Sequence, residues 1–528
     1  MDSVGLQGVL VLILLALSFG ALSRRAAFFF KPLPPGPTIL TRILENRSEE
    51  PLYFKFKRWS QQYGAVISLM DFVHFGKPTI ILSTPKAAMD LLERRGNIYS
   101  SRPRNVFAAE VAFKSARGSL MPMGTTMRRF RTVMNATMSA VASKRFRSLE
   151  DSESKLMLRD LLQEKDPMRY RTHVQRSVHS IAFCTAFGQR IEHLALDHLH
   201  FYESLEKFFA RFSIPGRSLV DHFPLLARLP LLSRWLCREA VRQGSVEEQF
   251  FRLCVNQAKS IHTKPNDPLL AASAHTLERR ERFGLTDSEV AFLAATPYTA
   301  EVTTTLGTCD IFLQAILLYP DVMYKAQREI DTVVGPDRMP DFQDFDTLPY
   351  IRAMIKETLR WHPFVPLGIP HAATEDDIYE GMFIPAGSTV IANIYAITHD
   401  TELFPDPEQF KPERFLDVTD PLLKNYNMTF GFGRRICPGQ YVATDQLFIM
   451  ISRLLWAFDV RPLKEATSEI EGTNAFWGRT KLMPYNLIPR SDRVSSLIGE
   501  GATIAQEAVK SWESLDYSNM SDCFGRTK

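Results

Sequence analysis

The chain lacks paired cysteines. Its six, Cys184, Cys237, Cys254, Cys309, Cys437 and Cys523, are scattered over 528 residues without regular spacing. This excludes a disulfide framework and a cysteine-built zinc site, and it points to a reducing compartment. An excess of charge is also missing. A net charge of +4 is too small to suggest nucleic acid as a partner. Internal repeats and long low-complexity runs are absent, so a repeat architecture is excluded. What remains is ordinary globular composition, 45% hydrophobic and 23% charged. The length allows two or three domains, or one large domain with appendages.

The N-terminus departs from that average. Val4–Leu22 carries no charge and is about long enough to cross a bilayer. Asp2 precedes it, and Arg24, Arg25 and Lys31 follow it, which by the positive-inside rule leaves the body in the cytosol. A cleaved signal peptide is the competing reading, because Ala21-Leu22-Ser23 resembles a cleavage site. Residues 1–30 are therefore expected to be a membrane anchor. Leu33-Pro34-Pro35-Gly36-Pro37 cannot continue a helix and reads as a stiff hinge at 32–37.

The most informative stretch is Phe430 to Gly439, in which Phe430, Gly433, Arg435, Cys437 and Gly439 form F-x-x-G-x-R-x-C-x-G. Cys437 reads as a thiolate on haem iron, the ligand that favours O–O cleavage. The glycines let the backbone turn tightly beside a flat macrocycle, and Arg435 is a fixed cation within reach of a propionate. Pro438 pre-sets a helix over Gln440–Trp456.

This decapeptide resembles the haem-binding signature of the cytochrome P-450 superfamily, the haem-thiolate monooxygenases, in a microsomal, fungal-type form. The resemblance covers about residues 33–490. It implies the cytochrome P-450 fold, mainly α with a minor β-rich lobe, preceded by one transmembrane helix. Residues 31–490 would be the catalytic domain, and the polar stretch 491–528 a surface or flexible tail. Local patterns agree. Ala65–Leu69 and Thr79–Leu82 read as strands, as do segments near Gly381–Ile394 and Lys481–Ile488. Elsewhere helical periodicity dominates, broken at Pro215, Pro224 and Pro230 within residues 150–285, where the sequence shows no site chemistry.

Further site residues follow from the resemblance. Arg131 matches the arginine of a W-x-x-x-R helix that contacts a haem propionate, with Met127 standing where the tryptophan is expected. Glu357-Thr358-Leu359-Arg360 places two side chains on one helix face and, with Arg414 of Pro412-Glu413-Arg414-Phe415, matches the Glu-Arg-Arg triad that locks the core. His371 matches a position near a propionate. Thr286-Asp287-Ser288-Glu289 is a capping box opening a helix to about Leu318, roughly 48 Å long, with a kink expected at Pro297. Within it, Ala300–Thr305 aligns with the oxygen-activation motif. Thr304 keeps the threonine, Thr303 replaces the acid and Glu301 replaces the glycine. Either the helix loosens locally so that Glu301 or a water serves the proton relay, or proton delivery is altered. Phe208, Phe209, Phe212, Phe364–Pro370, Phe476 and Trp477 are candidate pocket residues, with core packing as the alternative.

The implied cofactor is haem b, and the implied reaction inserts one oxygen atom of O2 into a small apolar organic substrate. Secondary metabolites, terpenoids, steroids and aromatic xenobiotics are the classes expected. No flavin or NADPH module is recognisable, so electrons are expected from a separate NADPH-cytochrome P-450 reductase in the endoplasmic reticulum membrane. The partners would then be that reductase, the substrate and membrane lipid. A haem-thiolate isomerase or dehydratase needing no external electrons, and a non-catalytic membrane haem-binding protein, are the alternatives. Sequons at Asn46, Asn135, Asn427 and Asn519 read as chance matches in a body facing the cytosol.

Overall fold

The computed structural model describes residues 31–45, 50–70, 77–262, 271–463, 476–478, 483–518 and 520–524. The apolar run Val4–Leu22, the sequons at Asn46 and Asn519, and Gly472–Ala475 lie outside the described residues.

Short, largely apolar runs build the minor lobe. Helix α1 (Leu52–Tyr63) lays Tyr53, Phe56 and Trp59 on Ile67, Leu69, Ile81 and Ile391 of a four-stranded sheet. The strand order is β1 (Val66–Leu69), β2 (Thr79–Leu82), β6 (Thr389–Ala392), β3 (His371–Ala372). β2 and β6 are parallel and the other pairs antiparallel. Two hairpins, β4 (Asp377–Tyr379) with β5 (Met382–Ile384) and β7 (Phe458–Pro462) with β8 (Tyr485–Pro489), are the remaining named strands among the described residues.

The hinge is stitched to this lobe. Ser68 donates from its amide to the Pro35 carbonyl (2.9 Å) and from its hydroxyl to the Pro34 carbonyl (2.6 Å), and the Phe383 amide donates to Pro32 (2.7 Å). A Cβ at Gly36 would stand 2.1 Å from the Ser68 carbonyl oxygen, so only glycine fits there.

The major lobe is helical: α2 (Thr125–Met138), α3 (Arg147–Gln163), α4 (Tyr170–Phe187), α5 (Leu196–Phe212), α6 (Arg238–His262), α7 (Asp287–Ala294), α8 (Thr296–Leu318), α9 (Pro320–Val333), α10 (Pro349–Trp361) and α11 (Gln440–Ala457). α8 runs along α4, and α3 packs on both α4 and α11. Most of α8 is buried, in keeping with apolar residues on every side of it, although Glu301, Asp310 and several threonines interrupt them. The capping box forms: the Glu289 amide donates to Thr286 Oγ1 (3.2 Å), and the Thr286 amide donates to Glu289 Oε2 (2.9 Å).

The long helix expected from Thr286 to about Leu318 spans Asp287–Leu318 and is interrupted near Pro297, as expected. The chain turns at Ala295 and restarts at Thr296, which puts the proline in the first turn of α8. Proline has no amide to continue the ladder, and a first turn needs none.

The tail differs from expectation. Residues 491–518 and 520–524 pack against the body. Helix α12 (Asp492–Ala508) is capped by Ser491 Oγ accepting from the Val494 amide (3.1 Å) and lies on α3. It buries Val494, Ile498, Ala502 and Ala505, an i, i+4 stripe of small apolar residues diluted by polar neighbours in the sequence. Arg190 and Leu515 then exchange backbone bonds with each other's strand (Arg190 amide to Glu513, Leu515 amide to Arg190, both 2.9 Å). In α13 (Ser521–Phe524), Phe524 lies 5.9 Å from both Phe201 of α5 and Phe250 of α6.

Candidate active site

The loop around Cys437 is set by close approach. Gly431 and Gly433 take φ of 88° and 53°. A Cβ at Gly433 would meet the Leu92 carbonyl oxygen at 2.4 Å. Phe430 accepts the Cys437 amide at its carbonyl (2.8 Å). Gly439 begins α11, and a Cβ there would touch Cys437 Sγ at 3.8 Å. Burial pushes the Cys437 thiol up. The Gly439 amide and the Arg131 charge oppose that, while Glu301 adds to it.

Basic side chains gather near the loop, Arg435 buried and Arg131 half-buried. Arg435 donates to the carbonyls of Ser100 and Met121 (2.7 Å each) and to Met127 Sδ (2.9 Å). Met127 thus replaces an indole donor with a sulfur acceptor that orients Arg435. Arg131 donates to the Ile436 carbonyl (2.8 Å), tying α2 to the loop. His371 donates from Nδ1 to the Tyr99 carbonyl (2.8 Å), which leaves Nε2 as the bare acceptor.

A fourth member, Arg102, has no signature in the sequence. It is 9% exposed and, among the described residues, bonds to the carbonyls of Ser119, Ile369 and Pro370. Only tertiary placement reveals it. Burial, helped by mutual repulsion, lowers Arg102, Arg435 (to about 10) and His371; burial likewise lowers Arg131. Among the described residues none of the three arginines has a carboxylate partner. Buried uncompensated charge costs several kcal/mol per ion, so the cluster calls for an anionic ligand. A macrocycle bearing two propionates, with Cys437 as its sulfur donor, meets that requirement.

The triad also assembles. Glu357 and Arg360 are wholly buried and paired through two bonds (2.7 and 2.8 Å). Glu357 Oε1 also accepts from Arg414 Nε (3.2 Å) and the Lys411 amide (2.8 Å). Arg360 and Arg414 spend their other donors on the carbonyls of Thr398, Gln409 and Asp406.

On the α8 side, Thr304 donates its hydroxyl back to Ala300 (2.8 Å) and shares it with Glu301 (3.1 Å). Glu301 is half-buried, its Oε1 is enclosed without a partner, and burial raises its carboxyl to about 8. A Cβ at Gly307, one turn further on, would stand 1.9 Å from Phe364 Cε2, so this glycine lets the Phe364 turn lie on α8. Phe364 stacks on Trp477 (5.4 Å), Trp477 on Phe209 (6.2 Å), and Phe476 meets both Trp477 and Phe209 edge-on (4.6 and 5.6 Å). Four expected pocket residues are thereby brought together. Phe208 and Phe212 are not among them; they pack on Phe107 (6.0 and 4.5 Å). The sequence reading missed Tyr202 of α5 as well, which hydrogen-bonds Thr303.

Cys437 with its cation cluster, and the threonine-bearing helix α8 whose Glu301 is near enough to act on the sulfur, make a site of the haem-thiolate, oxygen-activating class. The cytochrome P-450 family model matches residues 32–483. Among relatives, cytochrome P-450 monooxygenase 253 of Postia placenta is 35% identical over 521 residues, covering 94% of this chain and 96% of that one. Cytochrome P-450 monooxygenase drtD of Aspergillus calidoustus is 36% identical over 445 residues, covering 83% and 81%. A zebra fish cytochrome P-450 solved with abiraterone superposes with a TM-score of 0.69 at 21% identity, over 84% of this chain and all of that one. The chain belongs to the cytochrome P-450 family. It is a haem b monooxygenase with fungal relatives.

Proposed function

We propose that Cys437 would supply the thiolate ligand to haem iron and that Arg102, Arg131 and Arg435 would hold the propionates, with His371 joining them only where a propionate's charge keeps its Nε2 protonated. The single observation that carries this is a set of arginines, Arg102 and Arg435 buried and Arg131 half-buried beside Cys437, that have no carboxylate partner among the described residues. Haem b when bound supplies the oxygen-activating chemistry. The chain's own residues do the rest. The Gly439 amide and Arg131 moderate the charge on the sulfur. Thr304 presents a hydroxyl on α8, and Glu301 carries a proton in reserve beside it. Phe209, Phe364, Phe476 and Trp477 wall the substrate region with aromatic surface. That wall suits a neutral, apolar organic substrate such as a terpenoid, steroid or aromatic secondary metabolite.

The reductase and the membrane belong to the same proposal. Arg128, Arg129, Lys144, Arg145 and Arg434 place positive charge on and around α2 near the loop, a footing for an acidic electron-donor domain such as NADPH-cytochrome P-450 reductase. The segment Pro224–Leu236 exposes Leu225 (71%), Leu231 (84%) and Trp235 (76%), interleaved with Arg228 and Arg234. That composition suits a lipid interface. Leu40, Ile43 and Leu44 beside the hinge are exposed as well. The body then sits on the cytosolic face of the endoplasmic reticulum.

The test is NADPH- and reductase-dependent oxygen consumption by the purified holoprotein across neutral terpenoids, steroids and aromatics. Product carrying one oxygen atom from O2 is expected. Turnover without reductase would favour the isomerase, and binding without turnover a non-catalytic role.

A further inference from the structure

The family's acid next to the oxygen-activating threonine is Thr303 here, and the structure shows what meets it. Tyr202 reaches from α5 to the ladder of α8: its hydroxyl oxygen accepts the Thr303 amide (3.3 Å) and lies 3.1 Å from Thr303 Oγ1. Threonines in helices usually turn their hydroxyls back to a carbonyl of the preceding turn. Thr304 and Thr308 do so, at 2.8 Å each. Thr303 makes no such bond among the described residues; its hydroxyl partner is Tyr202. A side-chain oxygen set into an i→i−4 ladder is also a recognised way to loosen a helix locally.

The Tyr202 ring is held firmly. Its centroid lies 4.8 Å from His179 of α4 and 5.2 Å from Tyr298 of α8, both edge-on. Tyr298 Oη hydrogen-bonds His179 Nδ1 (2.9 Å) and His198 Nε2 (2.8 Å). His198 sits one turn before Tyr202 on α5, and its Nδ1 bonds the hydroxyl of Tyr517 (2.9 Å) in the C-terminal segment. Four elements therefore fix one phenol: α4, α5, α8 and the segment that follows α12.

We infer that Tyr202 is a positioning residue for oxygen activation, holding Thr303 as the proton-bearing group where relatives of this fold carry an acid, with Tyr517 supporting it from the C-terminal segment. The phenol oxygen takes the Thr303 amide proton and its own proton goes to Thr303 Oγ1. The Thr303 hydroxyl proton is then free to point along α8 beside Thr304. No bond forms or breaks in this arrangement; it orders donors. Burial holds the phenol proton far above its ordinary range, so Tyr202 stays a neutral donor at working pH. The inference rests on the monooxygenase reading above.

Tyr202→Phe keeps the ring and deletes the hydroxyl. Two readouts separate positioning from mere packing. Amide hydrogen exchange at Thr303, measured on the haem-loaded protein without substrate, is expected to quicken roughly three- to tenfold, the factor one hydrogen bond is worth. During turnover, a larger share of reducing equivalents is expected to leave as hydrogen peroxide (O2 + 2e⁻ + 2H⁺ → H2O2), with substrate affinity unchanged. Tyr517→Phe should move both readouts the same way by less. Adding Thr303→Asp to Tyr202→Phe should restore coupling, because a carboxyl then supplies the proton directly. The inference is overturned if Tyr202→Phe matches wild type in exchange and peroxide release, or if it lowers only thermal stability and haem content. If the wild type consumes no oxygen with any substrate, the monooxygenase reading fails, while Thr303 exchange still reports whether Tyr202 holds the amide.

Discussion

The sulfur side and the oxygen side of this site are built on different principles. Around Cys437 the geometry is dictated at short range. Gly433 is fixed by the Leu92 carbonyl, the Cys437 amide by Phe430, and Arg435 by two carbonyls and a sulfur. On α8 the needed property is looser: a proton-bearing group within reach of Thr304. Glu301, two positions from where the acid is expected, is one such group. Tyr202, a hundred residues away in the sequence, arranges another at Thr303. A metal ligand must occupy one place, whereas a proton can arrive by several routes. The first kind of site therefore tolerates little sequence change, and the second tolerates substitution and relocation.

The sharpest way to break this comparison is to remove the sulfur. Cys437→Ala is expected to abolish monooxygenase turnover outright while α8 stays intact, measured by oxygen consumption and by the haem spectrum. The triad comes next. Glu357→Ala leaves Arg360 and Arg414 buried without their carboxylate, at a cost of about 3–5 kcal/mol. A much lower melting temperature and poor haem incorporation are expected, whereas Thr304→Ala on the oxygen side should melt close to wild type.

The anion-seeking cluster gives a graded effect. Arg102→Ala or Arg435→Ala should weaken haem retention by roughly 10- to 100-fold, the worth of a hydrogen bond to a charged group. Haem transfer to an acceptor protein measures it. Unchanged retention in both variants would remove the cluster from the haem site.

Glu301 supplies the pH dependence. Its carboxyl is raised from 4.5 to about 8, so the folded protein holds this proton through neutral pH while the unfolded chain has released it. Its contribution to stability is fully present below about 4.5 and is lost as pH rises through about 8. Peroxide release should rise over the upper end of that window. Glu301→Gln, neutral throughout, should flatten both profiles. The smallest effect is expected from Tyr517→Phe, which leaves one nitrogen of His198 unpaired and costs about 1–3 kcal/mol in chemical unfolding.

Much of the sulfur side was legible because its constraints are local. Five positions within ten residues carry the loop, and three residues spaced along two short motifs carry the triad. The minor sheet was legible from the short, largely apolar runs at Ala65–Leu69 and Thr79–Leu82, which form strands buried on both faces. Arg102 was not, since nothing in Ser101-Arg102-Pro103 says that the side chain is buried among carbonyls. Tyr202 was hidden for a similar reason, being one aromatic among many on an amphipathic helix. The tail misled because burial by a stripe of Val494, Ile498, Ala502 and Ala505 needs little hydrophobicity. An irregularity near Pro297 was legible because proline lacks an amide; its place, at Ala295, was not.

The most direct measurement is the spectrum of the purified, dithionite-reduced protein under carbon monoxide. Thiolate-ligated haem would give the long-wavelength Soret band for which the family is named, and that band is expected in full, lost in Cys437→Ala and kept in Tyr202→Phe. A band at the shorter wavelength of an imidazole or neutral ligand in the freshly prepared wild type would contradict Cys437 as the axial thiolate.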